Sequence, residues 1–322
     1  MPNKILIISI IALIVVVGGL YASGIIFPSE VETIRVGYLT GDLHHLPLFV
    51  AINQSYFEEY GMKIEPKEYA NGPTLMQEFL AGELDFAYVG APPAMSARAN
   101  ALSDPTYHLP VVIASANLEG SALVVDADIK TPEDLNGKVI GTPGTGTIQD
   151  IMLSIFLTNH NINLTKNPTT ISYLPLEFSK GTIDGFIGWE PAPSIAAVQS
   201  GAQVLLTSHE LFPNHQCCVL VVSNKYLDAH PDIVQKFVDV HKMANQYIND
   251  NPEFAKQIAM GKTGYSSEII DLALSHIVYD STPDPESMTH FLHSMIDLGV
   301  VTTLTHDEVV SFINAFIDTR FI

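Results

Sequence analysis

The chain has 322 residues, with 15 basic and 35 acidic side chains and a formal net charge of −20 at pH 7. That balance excludes nucleic acid as a partner, because phosphate binding needs a basic face. The length suits two lobes better than one small domain.

Residues 1–4 read as a cytoplasmic stub. From Ile5 to Phe27 no charge interrupts an apolar run long enough to cross a bilayer as a helix. A cleavable signal usually has a shorter apolar region, and Tyr21-Ala-Ser23 is a poor cleavage site. The expectation is an uncleaved transmembrane anchor, with a cleaved signal as the alternative. Both put everything after Pro28 outside the cytoplasm, with Lys4 on the inner flank. Residues 28–32 form a linker.

Thr33–Tyr38 alternates as a strand, and Pro47 opens a helix carrying Leu48, Phe49, Ile52 and Phe57 on one face. A strand from Lys63, a helix over Pro73–Ala81, a strand over Asp85–Gly90, a helix to Asn100 and a strand over Pro110–Ser115 follow. This β-α-β alternation predicts a mostly parallel sheet with helices on both faces. Ser121–Asp126 is a strand that starts a change of lobe, and Thr131-Pro-Glu-Asp134 is a capped helical turn.

The second run starts at Lys138–Thr142, a strand feeding the loop Pro143-Gly-Thr-Gly-Thr147 and a helix from Ile148 to about Asn159. It continues with a strand near 169–174, a helix near Leu176–Lys180, a strand Asp184–Gly188, a helix Pro191–Ser200 and a strand Ala202–Thr207. Cys217–Val222 reads as a second hinge strand, twin to Ser121–Val125. Helices occupy the rest, from Pro231 on, as scaffold for the first lobe. The expected division is lobe 1 over 33–125 plus 220–322, and lobe 2 over 126–219. Asn53-Gln-Ser55 and Asn163-Leu-Thr165 are glycosylation triplets that fit an outside location.

Five stretches, in order, carry a family resemblance: Gly37-Tyr38 with His45-x-Pro47-Leu48; Leu84-Asp-Phe-Ala-Tyr-Val-Gly-Ala-Pro-Pro93; Thr131-Pro-Glu-Asp-Leu-x-Gly-Lys138; Asp184-Gly-Phe-Ile-Gly-Trp-Glu-Pro191; and His215-x-Cys-Cys-Val-Leu-Val-Val222. From about Ile34 onward the chain resembles the substrate-binding proteins of ABC importers in the nitrate, taurine, alkanesulfonate and thiamine-pyrimidine-precursor group. The resemblance implies the type II periplasmic-binding-protein fold: two α/β lobes closing on a small solute. It also implies an ABC permease and ATPase as partners. The alternative is an enzyme on the same architecture, of the thiamine-pyrimidine or menaquinone-pathway type. No paired acid and base, nucleophile elbow or metal triad supports that alternative.

Ligands of open α/β sheets sit beyond the carboxyl ends of the strands. Four loops leave such ends: Thr40–His45, Gly90–Pro93, Thr142–Thr147 and Trp189–Pro191. Candidate contacts are therefore Thr40, His44, His45, Gly90, Ala91, Asn117, Thr145, Gly146, Thr147, Trp189, Glu190 and His215. Thr145, Gly146 and Thr147 offer amides and hydroxyls to an anionic or polar end. Trp189 can stack on a ligand, and Glu190 can accept a hydrogen bond or cap the next helix. An acid in the cleft disfavours a purely anionic ligand such as nitrate. Asp42, Tyr88 and Ser115 lie near the same strand ends. No cysteine–histidine cluster has zinc spacing in the sequence, so neither metal nor cofactor is expected. Cys217 and Cys218 read as buried hinge thiols.

Overall fold

The computed structural model describes residues 33–321. The first lobe begins β1 (Thr33–Leu39), β2 (Lys63–Tyr69), β3 (Phe86–Gly90) and β4 (Pro110–Glu119), with helices Leu46–Asn53, Gly72–Leu80 and Ala91–Ala101 between them. The second sheet is built from β5 (Ser121–Val125), β6 (Val139–Thr142), β7 (Thr165–Pro168), β8 (Gly185–Trp189) and β9 (Gln203–Thr207). The chain then returns to the first sheet through β10 (Gln216–Ser223) and β11 (Ile277–Val278). The two orders are β11-β4-β10-β3-β1-β2 and β7-β6-β8-β5-β9.

Burial explains these orders. Strands β3, β5, β8 and β10 are buried along their whole length and take interior places, covered on both faces. Strand β2, Lys-Ile-Glu-Pro-Lys-Glu-Tyr, is charged, carries Pro66 and lies on an edge. The sheets are mixed rather than mostly parallel. Strands β1, β2 and β3, and likewise β6, β7 and β8, pair parallel. The strands that follow a crossover enter reversed: β10 runs antiparallel to β3 and β4, and β5 antiparallel to β8 and β9.

The sequence division had assigned Ser121–Val125 to the first lobe, but its hydrogen bonds to β8 and β9 put it in the second sheet. All of β10, from Gln216, belongs to the first sheet. The crossovers therefore fall at Gly120 and at Ser208–His215. The strand expected near 169–174 lies earlier, at Thr165–Pro168, and Ile171–Tyr173 is a turn of 3-10 helix.

The C-terminal helix Pro231–Asp250 covers the first sheet, with Phe237 stacked on Phe86 at 4.1 Å. The scaffold is not confined to that lobe. Helix Ser267–Ser275 lies against helix Ala192–Ser200 of the second lobe. The expected anchor, 5–27, lies outside the described residues, as do the stub and linker. Among the described residues no helix is long and apolar enough to cross a membrane.

Candidate functional site

The two crossovers are strapped together at Glu119, the last residue of β4. Its carboxylate accepts from Ser208 Oγ at 2.8 Å and from the Asn214 backbone N–H at 2.7 Å. His209 Nδ1 lies 3.1 Å from one oxygen and His215 Nδ1 3.3 Å from the other. Burial pushes the Glu119 pKa up, but the bonds from His215 and Ser208 outweigh it and the net shift is downward. Gly120 follows at φ +91° and leads straight into β5.

Beside this hinge a cavity of about 10 Å³ lies between the lobes. The first lobe lines it with Leu39, Asp42, His44, Gly90 and Cys218, and the second with Thr147, Gln149 and Trp189. Its volume is room for about one water molecule, so a larger solute enters only when the lobes part. Of the residues expected from sequence, His44, Gly90, Thr147 and Trp189 meet here.

The others are elsewhere. His45 is fully buried, and its Nδ1 accepts from the Leu39 N–H at 3.2 Å. Ala91 begins its helix in the core. Asn117 is spent on the hinge strands: its amide donates to the carbonyls of Leu118 and Glu119, and its oxygen accepts from the Cys218 N–H. His215 is buried against Glu119. Tyr88 and Ser115 join a buried chain, with Tyr88 Oη 3.0 Å from His241 Nδ1 and His241 Nε2 2.7 Å from the Ser115 carbonyl.

The Gly-Thr loop also departs from expectation. The Gly146 N–H donates to Asp150 Oδ2 at 3.0 Å, and the Thr147 hydroxyl donates to the Gly144 carbonyl while accepting from the Asp150 N–H. Lys166 Nζ closes on Asp150 at 2.6 Å. The chain's own carboxylate thus occupies the place an anion was expected to take. Thr145 is exposed and, with Gly146, opens onto a separate groove of about 330 Å³ beside helices Gly72–Leu80 and Ala91–Ala101.

Trp189 separates the small cavity from an outer interlobe pocket of about 460 Å³, which Thr40, Gly41, Glu68 and Lys262 line from one side and Ile171, Pro191 and Ile195 from the other. The Thr40 hydroxyl donates to the Tyr69 carbonyl at 3.2 Å. Glu190 lines neither space. Its Oε2 caps the following helix by accepting from the Ser194 N–H at 3.2 Å, and its Oε1 lies 2.6 Å from His276 Nδ1. His276 belongs to the C-terminal scaffold, so this pair ties one lobe to the other.

The His276 pKa is raised, chiefly by the hydrogen bond to Glu190, with burial opposing. A pKa above the ordinary histidine value means the pair stabilises closure below about pH 6.5 and loses that contribution as pH rises through the raised value. His276 stays partly in water, so the effect is at most about 1 kcal/mol after screening. Small-angle scattering is expected to show a larger radius of gyration at alkaline pH, with His276→Ala more open at pH 6 and less responsive to pH.

Sequence reasoning did not assemble the floor of the cavity. His44 Nε2 lies 2.7 Å from the Gly120 carbonyl and must donate to it, so Nδ1 is the nitrogen that gives up its proton when the ring becomes neutral. That Nδ1 is 3.4 Å from Cys217 Sγ and 3.7 Å from Cys218 Sγ, and the two sulfurs are 4.0 Å apart. Asp42 Oδ1 caps the loop by accepting from the His44 N–H at 2.8 Å. Burial raises the Asp42 pKa to about 7, with His44 opposing. Burial lowers the His44 pKa, but Asp42 and Cys217 outweigh it and raise the value to about 10. Burial raises Cys217 as well, yet Cys218 and His44 bring it well below the usual thiol value. Cys218 is pushed up by burial and by its neighbour. The linear spacing had offered no metal pattern; folding joins residues 173 positions apart. Gln149, Asp42 and Cys218 were absent from the expected contacts. The position of Gln149 in the first turn after the Gly-Thr loop was the available signal.

A taurine-binding periplasmic protein of Escherichia coli is 24% identical over 239 residues, 71% of this chain and 70% of that protein. The periplasmic nitrate-binding protein NrtA of Synechocystis superposes with a TM-score of 0.78 at 16% identity, covering 89% of this chain and 86% of that one. The aliphatic sulphonate-binding protein SsuA of Escherichia coli gives a TM-score of 0.72 at 18% identity, covering 88% and 99%. The two solved structures share the two-sheet periplasmic-binding fold, and all three proteins are named as binding proteins. The NMT1-like family model matches residues 28–261, so the chain belongs to the NMT1-like family.

Proposed function

We propose that the chain is the solute-binding component of an ABC importer, capturing a small polar solute between its lobes and passing it to a permease driven by an ATPase. One observation carries the reading: a cavity at the strand ends is lined from both lobes beside the two crossovers that join them. A solute touching both lobes stabilises the closed form, which a permease can distinguish from the open one. The relatives that bind taurine, sulphonates and nitrate support this class of solute. Residues 5–27 anchor the domain to the outer face of the membrane, or direct its export if cleaved.

The test is a thermal-shift screen over taurine, alkanesulfonates, nitrate and pyrimidines. A true solute at a hundred times its dissociation constant adds about 2.7 kcal/mol of stability. Trp189 is the chain's only tryptophan and lies 2% exposed at the cavity wall, so its fluorescence is expected to follow closure. Turnover of the stabilising compound would favour the enzyme alternative instead.

A further inference from the structure

We propose that the floor of the interlobe cavity is a site for a thiophilic metal cation, of the Zn²⁺ or Cu⁺ class, ligated by His44 Nδ1, Cys217 Sγ and Cys218 Sγ. This deepens the solute-binding reading by naming the chemical class of the occupant, and it rests on that reading for the opening through which the ion enters.

The distances fit a metal polyhedron. Zinc–sulfur bonds of about 2.3 Å and zinc–nitrogen bonds of about 2.0 Å give tetrahedral S–S and S–N edges of about 3.8 and 3.5 Å. The corresponding separations are 4.0 Å between the sulfurs, and 3.4 and 3.7 Å from each sulfur to His44 Nδ1. Little movement is needed to close them around one ion.

The support around the donors matches a ligand role. A ligating histidine usually donates its other ring N–H to a carbonyl or carboxylate, which fixes the tautomer and aims the lone pair. His44 does this with the Gly120 carbonyl at 2.7 Å. Both cysteines and both histidines of the loop are buried. Asp42, His45 and Cys218 form a second, overlapping group of donors within 4.8 Å of one another. His45 adds no lone pair to that group: its Nδ1 accepts from the Leu39 N–H, so its Nε2 keeps the proton and faces Asp42 Oδ2 at 3.7 Å.

The chemistry selects a cation over an anion. No Lys or Arg is among the described residues lining the cavity, while a carboxylate and a thiol are. Soft thiolates with imidazole favour zinc or cuprous ion over calcium or magnesium, which prefer oxygen. The three protein donors belong to the first lobe, on the loop after β1 and on β10. The second lobe closes over them with Thr147, Trp189 and Gln149, whose Oε1 is buried without a partner. Of the three donors, His44 and Cys218 line the cavity and Cys217 does not; three protein ligands that leave a fourth position for another group are the arrangement of an open metal site.

The full chain, reduced, freed of metal and held under argon, is titrated with Co²⁺ as a spectroscopic probe and then with Zn²⁺. One equivalent of Co²⁺ is expected to give a thiolate-to-metal charge-transfer band with the visible bands of tetrahedral cobalt, and Zn²⁺ is expected to bleach both. Cys217→Ser and Cys218→Ser should each weaken Zn²⁺ binding by about 100-fold or more. Zn²⁺ should also protect both thiols of the unaltered protein from alkylation under partial denaturation, a readout that needs no variant to fold. Absence of the thiolate band and of thiol protection overturns the inference, as does undiminished Zn²⁺ affinity in a folded Cys217→Ser/Cys218→Ser double variant. Taurine, sulfonates and nitrate run in parallel on the metal-free protein: stabilisation by one of them upholds solute binding even where the metal arm fails.

Discussion

Glu119→Ala is expected to cost about 3–5 kcal/mol of folding stability, the loss typical of removing one partner from a buried charged network. The carboxylate gathers Ser208 Oγ, the Asn214 N–H, His209 and His215, all from the second crossover. Removing it leaves buried donors without an acceptor and takes away the carboxylate beside the His215 imidazole. Urea denaturation followed by circular dichroism reads the loss as a fall in midpoint. Glu119→Gln keeps part of the hydrogen bonding and should lose less. The pH dependence has a definite sign. The Glu119 pKa is lowered in the folded protein, so its contribution is present above the ordinary carboxylate range and disappears as pH falls through the lowered value. The wild-type advantage over Glu119→Ala should therefore shrink toward pH 3. An unchanged midpoint in Glu119→Ala would mean that the two crossovers are held by backbone pairing alone.

Gly120→Ala comes second, at about 2–4 kcal/mol. The residue sits at φ +91°, where an L side chain is strained, and an added Cβ would collide with His44 Nε2 and crowd Ile277 Cγ1. Strain contributes about 1–3 kcal/mol and the displaced His44–Gly120 hydrogen bond about 1 kcal/mol. Gly137→Ala is the control. That glycine also has positive φ, at +77°, but nothing stands within 4 Å of its Cβ position. Denaturation midpoints should fall more for Gly120→Ala than for Gly137→Ala. A smaller or equal fall would show that contact with His44 contributes nothing beyond local backbone strain.

The legible parts of this chain were those governed by local physics. The alternating run Thr33–Tyr38 became β1, the strands expected over Asp85–Gly90 and Lys138–Thr142 became β3 and β6, and the Thr131-Pro-Glu-Asp134 pattern became a capping box. Thr147 caps the helix Ile148–His160, as an N-terminal threonine should. The Asp184–Pro191 stretch put Trp189 at the end of β8, against the cavity. Other readings failed where a local group had a choice of partners. The Gly146 amide can bind an anion, but Asp150, one helical turn away, reaches it first. Glu190 can face a ligand or cap a helix; it caps the helix and also meets His276, 86 positions away.

The sequence by itself determined two α/β runs joined at a pivot, because alternation, caps and buried strand composition act over a few residues. It also determined that the strand ends carry Gly, Thr, His and Trp. Only the tertiary structure decided the direction of the crossover strands and the use of Glu119 as the hinge strap. It alone brought His44 to within 3.4 Å of Cys217. The reason is physical: hydrogen-bond partners and donor clusters depend on which buried groups the sheets bring face to face, and separation along the chain carries no record of that.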